Sequence, residues 1–174
     1  MMVEYFKRIK ASSRLPVAAL LLAAALAFAA CGKESGPLPL NATEGYCPVC
    51  SMKVKAENQW ASEIIYKDGT KLMFETPGDM LKFYSSPASF DVVDAQKDPA
   101  NIDRVLLKEY QTRGPIDART AALVYKSSVS GPMGPDVIAF HKPEDARTFA
   151  EAKGGRVIVF DELTHEMIEE LRKR

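Results

Sequence analysis

The sequence predicts an α+β protein built from two ββαβ units, and three observations carry that prediction. Segments of strand length, apolar or alternating, recur with helix-length amphipathic segments between them. The order strand, strand, helix, strand reads twice along the chain. Asp-Gly, Thr-Pro and Gly-Gly pairs fall where hairpin turns and helix ends need them. The two units are expected over approximately residues 46–112 and 113–174, within a single domain spanning 46–174. A chain of 174 residues, 47% of them hydrophobic, suits one compact domain or two small ones.

In the first unit, residues 60–66 (WASEIIY) and 71–74 (KLMF) flank Lys67-Asp68-Gly69-Thr70, whose Asp-Gly pair predicts a tight hairpin. Thr76-Pro77-Gly78-Asp79 is a helix start, with Thr76 as N-cap and Pro77 in the first helical position, where its missing N–H costs nothing. Met80, Leu81, Phe83 and Tyr84 continue the helix with an apolar face, and Pro87 follows its end. Residues 90–93 and 105–110 are further strand candidates. In the second unit, residues 121–125 and 137–141 (VIAFH) are strands on either side of a Gly/Pro-rich loop, 127–135. Pro143-Glu144-Asp145 opens a helix that Gly154-Gly155 closes. Residues 156–160 (RVIVF) form a β-branched strand, and 164–174 a terminal helix with Met167, Ile168 and Leu171 at helical spacing.

The N-terminal segment reads differently. Lys7, Arg8, Lys10 and Arg14 precede an apolar or small-residue run from Leu15 to Ala30. That is the layout of an export signal, and the run is shorter than the roughly 20 residues a membrane-spanning helix needs. Ala29-Ala30-Cys31-Gly32 resembles the bacterial lipoprotein box, which implies a signal over 1–30, lipidation at Cys31 and membrane attachment through its acyl chains. Residues 31–45, with Pro37 and Pro39 and little periodicity, read as a lipidated tether. The whole chain carries 23 basic and 23 acidic side chains. Cleavage removes four bases and only one acid, Glu4, so the working chain is mildly anionic. No basic excess is left to displace phosphate counterions, which excludes nucleic acid as an expected partner.

Chemistry concentrates in Cys47-Pro48-Val49-Cys50-Ser51-Met52. In extended backbone Cys50 and Met52 project to one side, and together they offer a thiolate and a thioether to one soft ion. Zinc would want four ligands, and only His141 and His165 remain to complete such a set. Cu(I) accepts a soft, low-coordinate site, so copper is the expected ion. Met133, in the tight Gly131-Pro132-Met133-Gly134-Pro135 loop, is a candidate distant third sulfur, whereas Met73 and Met80 lie in periodic segments and read as core. Cys47 is a weaker ligand candidate. Cys47 and Cys50 also admit two other readings, a structural disulfide and a redox pair of the kind used by envelope thiol-disulfide oxidoreductases. Redox catalysis expects the pair to open a helix, and Met52-Lys53-Val54 does not begin one.

The lipoprotein signal, the CPVCSM segment, KLMFETPGDMLKFY and the GPMGPDVIAF loop occur in the order found in the NosL family of nitrous oxide reductase accessory lipoproteins, which the chain therefore resembles. Ser51 stands where the family usually has glycine. The resemblance implies a non-enzymatic, membrane-anchored periplasmic chaperone that binds Cu(I). Its implied partner is the maturation machinery of nitrous oxide reductase, an ABC-type complex with a periplasmic component, or another copper-accepting protein. The family's Cys-x-Met maps to Cys50 and Met52, and its PMG segment to Met133. Pairing of two chains as a homodimer around the metal stays open.

Overall fold

A computed structural model of the chain describes residues 45–55 and 57–172. The segments expected to be an export signal and a tether, up to residue 44, and Cys31, the expected lipidation site, lie outside the described residues. Among the described residues, eleven strands and four α-helices follow in chain order. A two-stranded hairpin, β1 (Gly45–Tyr46) with β2 (Lys53–Val54), comes first. Then come β3 (Ser62–Tyr66), β4 (Lys71–Phe74) and α1 (Pro77–Ser85). The short α2 (Asp94–Lys97) leads to β5 (Ile102–Lys108) and β6 (Pro115–Asp117). After β7 (Ala122–Tyr125) a small hairpin, β8 (Ser130–Gly131) and β9 (Gly134–Pro135), precedes β10 (Ile138–Phe140). The chain closes with α3 (Pro143–Lys153), β11 (Arg156–Ile158) and α4 (His165–Arg172).

The two units share one topology. β4-β3-β5 and β10-β7-β11 are both antiparallel, with the first strand of each unit in the centre and the strand after the helix on its far side. β6 extends the first sheet beyond β5. A parallel bridge between Glu109 and Ala139 ties the sheets together, with the Tyr110 amide donating to the Ala139 carbonyl at 2.9 Å. Alternation along β7 divides its burden: Leu123 and Tyr125 enter the main core with Ile64, Val105, Phe74 and Phe83. Ala122 and Val124 turn to the opposite face, where α3 brings Ala146 and Phe149.

Local chemistry explains the boundaries. The Asp-Gly turn forms with Gly69 at φ +85, and the Thr76 hydroxyl accepts the Asp79 amide at 3.2 Å as the N-cap of α1. Residues 90–93 differ from expectation, since they form no strand. They are caught between a 3₁₀ turn at Pro87–Ser89 and α2, and Phe90 spends its apolar surface on Phe83, with ring centroids 5.6 Å apart. The glycines after α3 have unequal reasons. Gly155 sits at φ +91, and a Cβ there would lie 2.6 Å from the Tyr125 carbonyl. Gly69 has the same handedness and open space around it.

Gly155→Ala is therefore expected to cost about 2 kcal/mol or more, from backbone strain plus collision with β7, and Gly69→Ala only about 1 kcal/mol. Chemical denaturation of the two variants side by side measures the difference.

Candidate metal centre

The cysteine segment is the loop of the β1–β2 hairpin. Gly45 pairs with Val54 and Tyr46 with Lys53, so Cys47 and Met52 stand at the loop's base. The Cys47 amide donates to the Met52 carbonyl and the Ser51 amide donates to the Cys47 carbonyl, both at 2.8 Å. Pro48 pre-sets its own φ for the turn that follows. Ser51 completes the reversal at φ +58, a left-handed conformation in which a side chain is uncommon. The expectation that Cys50 and Met52 share a side through strand alternation is thereby corrected. The chain must reverse within six residues, so the segment is a turn and the period-two rule does not act on it.

The turn places the two thiols together and adds a residue the motif does not contain. The Cys47 Sγ, the Cys50 Sγ and a carboxylate oxygen of Asp79 all lie within 4.8 Å of one another. The Cys47 thiol donates to Asp79 Oδ2 at 3.6 Å. Both cysteines are free thiols. Asp79 is the third residue of α1, held in the first turn by Thr76, and is 3% exposed. The sequence marks the helix start through Thr76 and Pro77 and includes Asp79 in it, without marking Asp79 as a site residue. Its signal was position, because it lies one turn before Phe83 on the buried face of α1.

Burial is graded across the loop. Cys47 is 1% exposed, Cys50 is half-buried, and Met52 is 42% exposed, one of few large apolar side chains turned to solvent. Burial pushes the Cys50 thiol up from an ordinary 9.0 to about 12; hydrogen bonding with Asp79 and Cys47 adds to the rise, and the Met52 backbone opposes it. The site is thus a pair of thiols in which Cys50 stays neutral far into the alkaline range. A soft ion must displace protons to enter it.

The remaining candidates lie on other elements. Met133 is half-buried at the tip of the β8–β9 hairpin, which sits against Trp60 and α4; a Cβ at Gly131 would come within 3.2 Å of the indole. His141 is exposed just after β10, and His165 is exposed at the start of α4 with Nδ1 3.4 Å from Ser85 Oγ. Neither histidine joins the Cys47–Cys50–Asp79 group among the described residues. Met80 is fully buried, as core packing requires.

Doubled ββαβ topology and a hairpin loop that sets two thiols beside a buried carboxylate define an α+β protein with a donor set for a soft metal ion. Residues 37–168 match the family model NosL, and the chain belongs to the NosL family. It is 27% identical over 161 residues, 88% of this chain and 83% of the relative, to the copper-binding lipoprotein NosL of Stutzerimonas stutzeri. The crystal structure of the copper chaperone NosL from Shewanella denitrificans superposes with a TM-score of 0.58 at 23% identity, covering 70% of this chain and 91% of that one, and shows the same fold.

Two outcomes are expected of the loop itself. Ser51→Gly relieves the left-handed strain and raises stability by up to about 1 kcal/mol, read by denaturant unfolding. Because the folded state favours neutral Cys50, its contribution to stability is whole below pH 9 and is lost as pH climbs from 9.0 toward about 12. Cys50→Ser is expected to flatten that alkaline limb of the stability curve.

Proposed function

We propose that this protein is a non-enzymatic Cu(I) carrier of the cell envelope, anchored through Cys31, that passes copper to the maturation machinery of nitrous oxide reductase or to a related copper-accepting protein. The observation that carries the reading is the graded sulfur loop: buried Cys47, half-buried Cys50 and exposed Met52 within six residues. Thiolate with thioether favours Cu(I) over hard divalent ions. Membership of a family whose named relatives are a copper-binding lipoprotein and a copper chaperone supports the same ion.

The gradient also supports a carrier over a store. Cys50 and Met52 are the proposed ligands, with Cys47 and Met133 as weaker candidates. Met52 is the most accessible of the loop sulfurs, so an acceptor's ligand would displace the thioether first and then compete for the thiolate. Each exchange keeps the ion coordinated, which avoids release of free copper. The mildly anionic surface and the lipoprotein-type signal fit a protein working at a membrane face. The oxidoreductase alternative is disfavoured by the site. A catalytic thiol needs a lowered pKa, commonly at a helix N-terminus, whereas Cys50 is raised and a strand follows its loop.

Anaerobic titration of the reduced protein with Cu(I) against a coloured chelator is expected to show about one tight equivalent, weakened at acid pH because the ligand thiol must lose its proton. Cys50→Ser and Met52→Ala lose that equivalent, while His141→Ala and His165→Ala keep it. Full affinity in both loop variants would remove the proposed site.

A further inference from the structure

We propose that Cys47 and Cys50 are a reversible modification site: a small organic disulfide converts them to an intraloop disulfide that empties the copper site, and reduction restores it. This inference rests on the copper-carrier reading above and names the condition under which the carrier can load.

The geometry supports closure of the bond. The two sulfurs are within 4.8 Å of each other and both are free. The loop is clamped at its base by the two 2.8 Å backbone hydrogen bonds of Cys47. The bond from the Ser51 amide to the Cys47 carbonyl closes a five-residue turn, inside which Cys47 and Cys50 lie three positions apart, a spacing compatible with the Cα separation of roughly 4.4–6.8 Å that a disulfide requires. Rotation of the two side chains then brings the sulfurs to bonding distance with the hairpin in place. An open groove of about 780 Å³, lined by Tyr46, Cys47, Pro48, Ser51, Leu72 and Val93, runs beside the loop on the Cys47 side, and the half-buried Cys50 is reached from solvent outside it.

Unequal access orders the steps. Cys50, the more exposed thiol, attacks one sulfur of the organic disulfide through its small ionised fraction, a slow stoichiometric exchange rather than catalysis; a mixed disulfide forms and one organic thiolate leaves with the proton Cys50 gave up. Cys47 then attacks the Cys50 sulfur, closing the Cys47–Cys50 bond and expelling the second organic thiolate. The proton from Cys47 passes through Asp79, whose Oδ2 already accepts it at 3.6 Å, to that leaving group. The protein dithiol loses two electrons and two protons, and the organic disulfide becomes two thiols. The buried position of Cys47 beneath Cys50 favours resolution over a persistent adduct. With both thiolates consumed, the loop offers the Met52 thioether and the Asp79 carboxylate, a mixed soft and hard pair that holds Cu(I) poorly.

The full chain in detergent, equilibrated anaerobically with graded ratios of oxidised to reduced glutathione, tests this by intact mass after thiol alkylation and by Cu(I) competition on the same samples. The expected result is one two-electron transition to a form that lacks two hydrogens, carries no glutathione, takes up no copper at chelator levels the reduced form overcomes, and recovers fully on reduction. Cys47→Ser is expected to accumulate the glutathione adduct at Cys50 in place of the internal bond. Two free thiols throughout, a stable glutathione adduct on the wild-type chain, or an internal disulfide with undiminished copper uptake would each overturn the proposal. A reduced wild-type chain that binds no Cu(I) would instead sink the carrier reading, and the mass measurement reports that case separately.

Discussion

The Cys47 backbone gives its amide to Met52 and takes the Ser51 amide on its carbonyl, and these two hydrogen bonds fix the loop on which the chemistry depends. They set a loop of six residues on a hairpin only two pairs long, so the loop has little shape of its own to fall back on. Stability comes from below. Cys47 and Val54 are both part of the main core, and Gly45 leaves room for Met73 of β4 to pack against the hairpin. Asp79 reaches the same point from α1, whose start is fixed by Thr76 and whose buried face is fixed by Met80, Leu81 and Phe83. The candidate metal centre is therefore a junction between a hairpin and a helix N-terminus, and anything that shifts one against the other separates its donor groups.

A half-buried thiol beside a buried one has a chemical consequence. Desolvation keeps Cys50 protonated, so this thiol brings no charge of its own that would attract cations indiscriminately. Entry requires an ion whose bond to sulfur outweighs the cost of forming a half-buried thiolate. Soft ions meet that condition and hard ions do not, so selectivity arises from burial as well as from ligand type. Exposure of Met52 works in the opposite sense, since this proposed ligand does not depend on protonation and stands open to solvent.

Much of this was legible in the sequence because it follows from local rules. The Asp-Gly turn, the Thr76 cap, the Gly-Gly stop after α3 and the β-branched strands all act through neighbours in the chain, and the repeated order of elements revealed the doubled unit. Two features were not legible for a physical reason. Residues 90–93 have strand-like composition, but Phe90 is claimed by Phe83 from α1, a tertiary contact. Asp79 meets Cys47 across 32 positions of sequence, and no spacing rule connects them. The turn at Cys47–Met52 lies between these cases. Its pattern reads as extended backbone, yet the conformation of Ser51 is set by the need to return β2 alongside β1.

The central claim is that copper is held by the sulfurs of this one loop. X-ray absorption at the copper edge of the Cu(I)-loaded chain addresses it directly. A low-coordinate shell of about two or three sulfur ligands, losing one sulfur in Met52→Ala, is the result the account requires. A shell dominated by imidazole nitrogen and unchanged in Met52→Ala would contradict it and move the site to His141 or His165.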